Sequence, residues 1–158
     1  MYDDVDRLAG CLVNLAFVEQ RRGDLARAVA LDRRAVAELH RIGHGFEAGA
    51  RANLAHRLVD AGAFGDAADA AAQAMATADR IGDGLVRADA RYAAARLALA
   101  SGDASEAAER AEQSLAILRA IGTTSMVREV EAVLAAARSA GATSPAAVTP
   151  IRSGTSPD

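Results

Sequence analysis

The chain has no tryptophan, and aromatic side chains make up only 3% of its 158 residues. A core built around large rings is excluded, and the apolar content falls to Ala, Leu and Val. Lysine is absent too, so all 18 cationic side chains are Arg. This fits either G- and C-rich codon usage or selection for planar, multidentate contacts. The one cysteine, Cys11, rules out an internal disulfide. Set among Leu12, Leu15 and Ala16 on a helical pattern, it is expected to pack as a small core residue. No proline precedes Pro145, so nothing ahead of it forces a helix to break. No apolar run approaches the ~20 residues that cross a bilayer. The acidic opening Asp3, Asp4, Asp6 is unlike a secretory signal, so a cytoplasmic protein without membrane partners is expected. A net charge of −3 gives no cationic field for phosphate backbones, and direct nucleic-acid binding is not expected.

What the chain does have is alanine, roughly a quarter of its residues, and a regular beat of glycines. Gly23, Gly43, Gly62, Gly82, Gly102, Gly122 and Gly141 stand 19 or 20 residues apart, and each closes a segment whose apolar residues recur at three and four. Glycine is the usual residue just past a helix end. Seven helices of about 15 to 17 residues, each roughly 25 Å long, are therefore expected, stacked antiparallel across short links.

The beat is double. Gly23-Asp24 and Gly102-Asp103 form one class, with Gly62 as a looser member, and Ile42-Gly43, Ile81-Gly82 and Ile121-Gly122 form the other. The repeating unit is thus a hairpin of about 40 residues, with Asp24 and Asp103 as caps for second helices. Small residues recur in register at Ala28, Ala67 and Ala107 and at Ala35, Ala74 and Ser114, where helices must cross closely. Second helices carry stripes expected to pack on the neighbouring hairpin: Val36, Leu39, Ile42; Met75, Ala78, Ile81; Leu115, Leu118, Ile121.

Asn14-Leu15-Ala16 running through Gly23-Asp24 to Ala28 and Ala35, repeated as Asn53-Leu54-Ala55 through Gly62 to Ala67 and Ala74, resembles the tetratricopeptide repeat. The resemblance covers roughly Asp3 to Gly141. Its long unit is similar to the variant in kinesin light chains, in polarity adaptors of the Pins type and in bacterial ATPase-linked transcriptional regulators. It implies an all-α fold, an α-solenoid of three hairpins (about 4–43, 44–82 and 83–122) and a C-terminal capping helix (124–140). Together these make a domain over 1–141 with a disordered tail over 142–158. The chain departs from the family in lacking its early Trp and turn Pro. Asp32, Ala71 and Ala111 stand where the second helix carries an aromatic.

In this family the first helix of each hairpin lines the concave side. Counting from the Leu-Ala pairs, the inward positions are Val13, Asn14 and Phe17, then Ala52, Asn53 and His56, then Tyr92, Ala93 and Arg96. The capping helix adds Arg128, Glu131 and Ala135. The resemblance implies that Asn14 and Asn53 pair with the main chain of an extended peptide; the competing reading is a tolerated polar residue on a wet face. His56, Tyr92 and Arg96 would offer an aromatic platform and a bidentate carboxylate donor, against the alternative that Tyr92 packs and Arg96 is solvated.

No metalloprotease, nucleophile-elbow or phosphate-loop motif occurs, His40, His44 and His56 have no ligand spacing, and Asp3, Asp4 and Asp6 do not form a calcium loop. The expectation is a non-enzyme without cofactor or metal that binds a peptide or protein on its concave face, with self-association through the first helix as a further partner mode. The alternative is a sensor or regulatory segment of a larger bacterial transcriptional regulator or signalling ATPase.

Overall fold

Where each helix stops is set by a residue that only the turn requires. The computed structural model describes residues 2–143, and these form α1 (Tyr2–Arg22), α2 (Leu25–Ile42), α3 (Glu47–Asp60), α4 (Phe64–Ile81), α5 (Gly84–Ala100), α6 (Ala104–Ala120) and α7 (Val127–Thr143). Among the described residues the fold is all-α, a helical solenoid. At Gly62 the backbone takes φ 70° and at Gly102 φ 86°, conformations that cost an L side chain about 1–2 kcal/mol. Both N–H groups fold back on the preceding helix, Gly62 to the Val59 carbonyl and Gly102 to that of Leu99. Asp24 and Asp103 cap α2 and α6 by accepting from the amides of Arg27 and Glu106, and Asp83 does the same for α5 toward Val86.

Gly141 is the exception among the seven glycines. It lies inside α7, which runs on to Thr143, and so does not close the last helix. Among the described residues no further helix turns back after α7, and Ala140, Ala142 and Thr143 let the backbone continue. Residues 142 and 143, expected in the tail, are helical; the rest of that expected tail, 144–158, lies outside the described residues. The helix also starts three residues later than expected. Ser125 N–H donates to Thr123 Oγ1 at 3.2 Å, and Met126 takes a left-handed φ of 61°, so the loop holds on to Val127.

The hairpins α1·α2, α3·α4 and α5·α6 pack on one another through α2·α3 and α4·α5, with α3 beside α5 and α7 closing on α6. Close approach depends on the small residues. Ala28, Ala67, Ala107, Ala35, Ala74 and Ser114 are all buried, and the Ser114 hydroxyl donates to the Ala88 carbonyl at 2.8 Å, so the one polar member of the series is satisfied. Larger side chains fill the two ends of the core, with Leu12, Val36, Leu39, Leu54 and Leu58 in one cluster and Leu115, Leu118, Val130 and Leu134 in another. Between them lies an alanine layer of Ala48, Ala52, Ala74, Ala78 and Ala90.

Two apolar expectations fail here. Ile81 and Ile121, the last members of their stripes, are exposed because they sit at the helix rim beside the glycine turns. Cys11 is exposed rather than core: Ala9, Leu12 and Ala16 take the face of α1 that meets α2, and Cys11 points off it.

Candidate partner-binding groove

The first helices α1, α3 and α5 lie side by side, but not equally close. α3 and α5 are packed together, whereas α1 leans on α2 and leaves a gap toward α3. A cavity of about 380 Å³ occupies that gap. Its floor is apolar, made by Ala9, Val13, Leu39, Phe46 and Ala50, and its polar groups are Asp6, Asn14 and Asn53. Asp6 Oδ1 lies 3.9 Å from His44 Nε2. Neither the Asn14 nor the Asn53 side-chain amide has a hydrogen-bond partner among the described residues, so each keeps donors and an acceptor for something else.

Two glycines line the same cavity from within helices, Gly10 in the middle of α1 and Gly49 in the first turn of α3, 39 residues apart and hence in equivalent repeat positions. A Cβ built on either would meet nothing within 4 Å. Packing within the chain does not call for them, although Gly10, in a helix interior, costs about 1 kcal/mol relative to Ala. Their effect is to leave bare backbone on both walls.

The α3/α5 side is closed by its own side chains. A smaller cavity of about 210 Å³ is lined by Phe17, Gln20, Asn53, His56, Arg57, Asp60, Tyr92 and Arg96. Arg96 donates from Nη1 to His56 Nδ1 at 3.1 Å and from Nη2 to Asp60 Oδ1. Asp60 Oδ2 also accepts from Gln20 Nε2 at 3.0 Å. Because Arg96 can only donate, His56 Nδ1 must accept, which places the ring proton on Nε2, 3.1 Å from Asp89 Oδ1. Tyr92 tilts against His56 with ring centroids 4.8 Å apart, and burial raises its phenol pKa above the ordinary value against the opposing pull of Arg96.

Beneath this network lies an ion pair that no spacing in the sequence points to. Arg57 of α3 and Asp32 of α2 are 2% and 0% exposed, and Arg57 Nη1 donates to Asp32 Oδ2. The Phe17 ring covers the guanidinium, 4.4 Å from centroid to Cζ. Asp32 Oδ1 and Arg57 Nε and Nη2 have no partner among the described residues. Burial pushes Asp32 up to about 6, and the charge and hydrogen bond of Arg57 only partly oppose it.

The structure therefore sorts the expected inward residues into groups. Asn14 and Asn53 face the open cavity, while Phe17, Asn53, His56, Tyr92 and Arg96 meet at the second. Arg96 is not an idle carboxylate donor, since Asp60 and His56 already hold it. Ala52 and Ala93 are fully buried in helix crossings and line neither cavity; Arg128, Glu131 and Ala135 are exposed on α7 and also line neither. The sequence reading missed Gly10, Gly49, Gln20, Arg57, Asp60 and Asp89. For the two glycines a signal existed: both depart from the closing beat yet keep the 39-residue register.

No family model matches the chain, and no curated protein matches it. Among solved structures it is similar to a TPR-like protein of Chlorobium tepidum TLS, with a TM-score of 0.67 and 21% identity, covering 88% of this chain and 95% of that one. The likeness is one of fold, a TPR-like helical array. No helix among the described residues is long and apolar enough to cross a membrane.

Proposed function

We propose that the helical array, residues 2–143, is a protein-interaction module that takes an extended segment of a partner protein between α1 and α3. What supports this most is the pairing of two unpartnered amides, Asn14 and Asn53, with two bare-backbone walls, Gly10 and Gly49, around one apolar cavity. An extended chain has unpaired N–H and C=O groups along its length, and a side-chain amide can both donate to and accept from them. The floor suits small aliphatic side chains, and Asp6 at the rim favours a basic residue at one end of the segment. The role is one of binding, with no catalytic step.

Selection from a random-peptide display library on the whole chain tests this. Enriched peptides should share small apolar residues, and their affinity should fall when Asn14 and Asn53 are both replaced by Ala. Peptides that bind the doubly substituted protein equally well would remove the groove from consideration.

A further inference from the structure

The groove uses one side of α1, and the opposite side carries a second feature. Leu8, Cys11, Leu15 and Val18 follow at spacings of three and four, with Leu8, Leu15 and Val18 37%, 39% and 44% exposed and Cys11 exposed as well. In α3 the corresponding residues, 39 positions later, are Glu47, Ala50, Leu54 and Arg57, all buried on the preceding hairpin. This is the face by which one hairpin docks on another, and on α1 no helix of the described chain covers it. The far end of the solenoid is different in kind: the exposed positions of α7 are Arg, Glu, Ala, Ser and Gly.

From this asymmetry we propose that two copies of the chain associate through α1, antiparallel, about a two-fold axis near Val13. Head-to-tail stacking needs a second apolar end to receive the first, and α7 offers none, whereas a self-complementary face closes as a dimer. The seam continues in the same register to Asp4 at one end and Arg22 at the other, giving spacings of four, three, four, three and four along α1. Spacings that alternate four and three are the heptad pattern of helices that pack along their length. An antiparallel pair sets Leu8 against Val18 and Cys11 against Leu15, and brings Asp4 opposite Arg22 at both ends. A parallel pair would set Asp4 against Asp4 and Arg22 against Arg22, like charge on like charge. Arg22 is well exposed, its contact with Glu19 being a loose 3.6 Å.

Sedimentation equilibrium of the whole chain over a wide dilution range tests the pairing. The expected result is a reversible dimer whose dissociation constant rises at least about tenfold in Leu15→Glu, a central apolar position, with helicity unchanged. Asp4→Arg and Arg22→Asp should each weaken the dimer, and the two together should restore it. Alkylation of Cys11 should slow as concentration rises, a readout that needs no substitution. A monomer at every concentration, a dimer indifferent to Leu15→Glu, or a charge exchange that fails to restore association would each overturn the proposal. Because the groove lies on the other side of α1, Asn14→Ala with Asn53→Ala should leave the dimer intact.

Discussion

The gap between α1 and α3 and the seam between α3 and α5 are built from equivalent positions of the same repeat, yet one is vacant and the other is full. Between α1 and α3 the walls are Gly10 and Gly49, and the Asn14 and Asn53 amides have no internal partner among the described residues. At the seam, Asp89 stands at the position of the glycines, and it anchors a chain of contacts through His56 and Arg96 to Asp60 and Gln20. Polar side chains on the first helices of the array are thus not interchangeable. Those with internal partners hold the first helices together, and those without are available to a second molecule.

The largest effect expected lies under the seam. Arg57→Ala should cost about 3–5 kcal/mol in chemical denaturation, because it leaves the Asp32 carboxyl buried without its counter-ion. Replacing both members with the residues at the equivalent places one hairpin on, Asp32→Ala with Arg57→Leu after Ala71 and Leu97, should be neutral or stabilising by up to about 4 kcal/mol. A double variant as unstable as Arg57→Ala would show that the pair itself holds the first two hairpins together.

Next in size is a pH effect from the same pair. Asp32 is raised in the fold from 3.8 to about 6, so between those values the folded protein holds a proton that the unfolded chain has released. Its contribution is fully present below 3.8 and is lost as pH rises through about 6, a decline of at most about 3 kcal/mol. Urea midpoints across that window should carry this downward component in the native chain and lose it in the Ala/Leu double variant. Identical profiles would contradict it.

Glycine substitutions should separate the two kinds of glycine. Gly62→Val and Gly102→Val force a β-branched residue into a left-handed turn and should cost about 1–2 kcal/mol. Gly10→Ala and Gly49→Ala should instead stabilise by up to about 1 kcal/mol each, since the added methyl meets open space. Thermal melts decide this, and a destabilising Gly10→Ala would show that the groove wall has an internal role.

The smallest effects distinguish the polar groups. Asn14→Ala and Asn53→Ala should change stability by less than about 0.5 kcal/mol while costing a bound segment about 0.5–1.5 kcal/mol each. Arg96→Ala should do the reverse, lowering the melting temperature while leaving affinity for that segment nearly unchanged.

Much of the fold was legible because caps and crossings are local. A glycine in a left-handed turn, an aspartate before a helix and an alanine at a close crossing are each decided within a few residues. Gly141 misleads for the same reason, since a glycine marks a helix end only where the chain must turn. Cys11 reads as core because the pattern shows which residues are apolar, not whether another hairpin covers them. The site was legible in half. Asn14 and Asn53 stood out by register, but the capture of Arg96 by Asp60, 36 residues away, and the burial of Arg57 against Asp32, 25 away, depend on how neighbouring helices are rotated. No spacing rule for a single helix contains that.

The central claim, that the space between α1 and α3 is a seat for a partner, is tested most directly by filling it. In Gly10→Leu with Gly49→Leu, two side chains enter the cavity from opposite walls and the helices gain better helix formers. A peptide selected on the native chain, titrated by isothermal calorimetry, should lose measurable binding to this variant while the variant melts no lower than the native protein. Undiminished binding to a folded, filled groove would contradict the account.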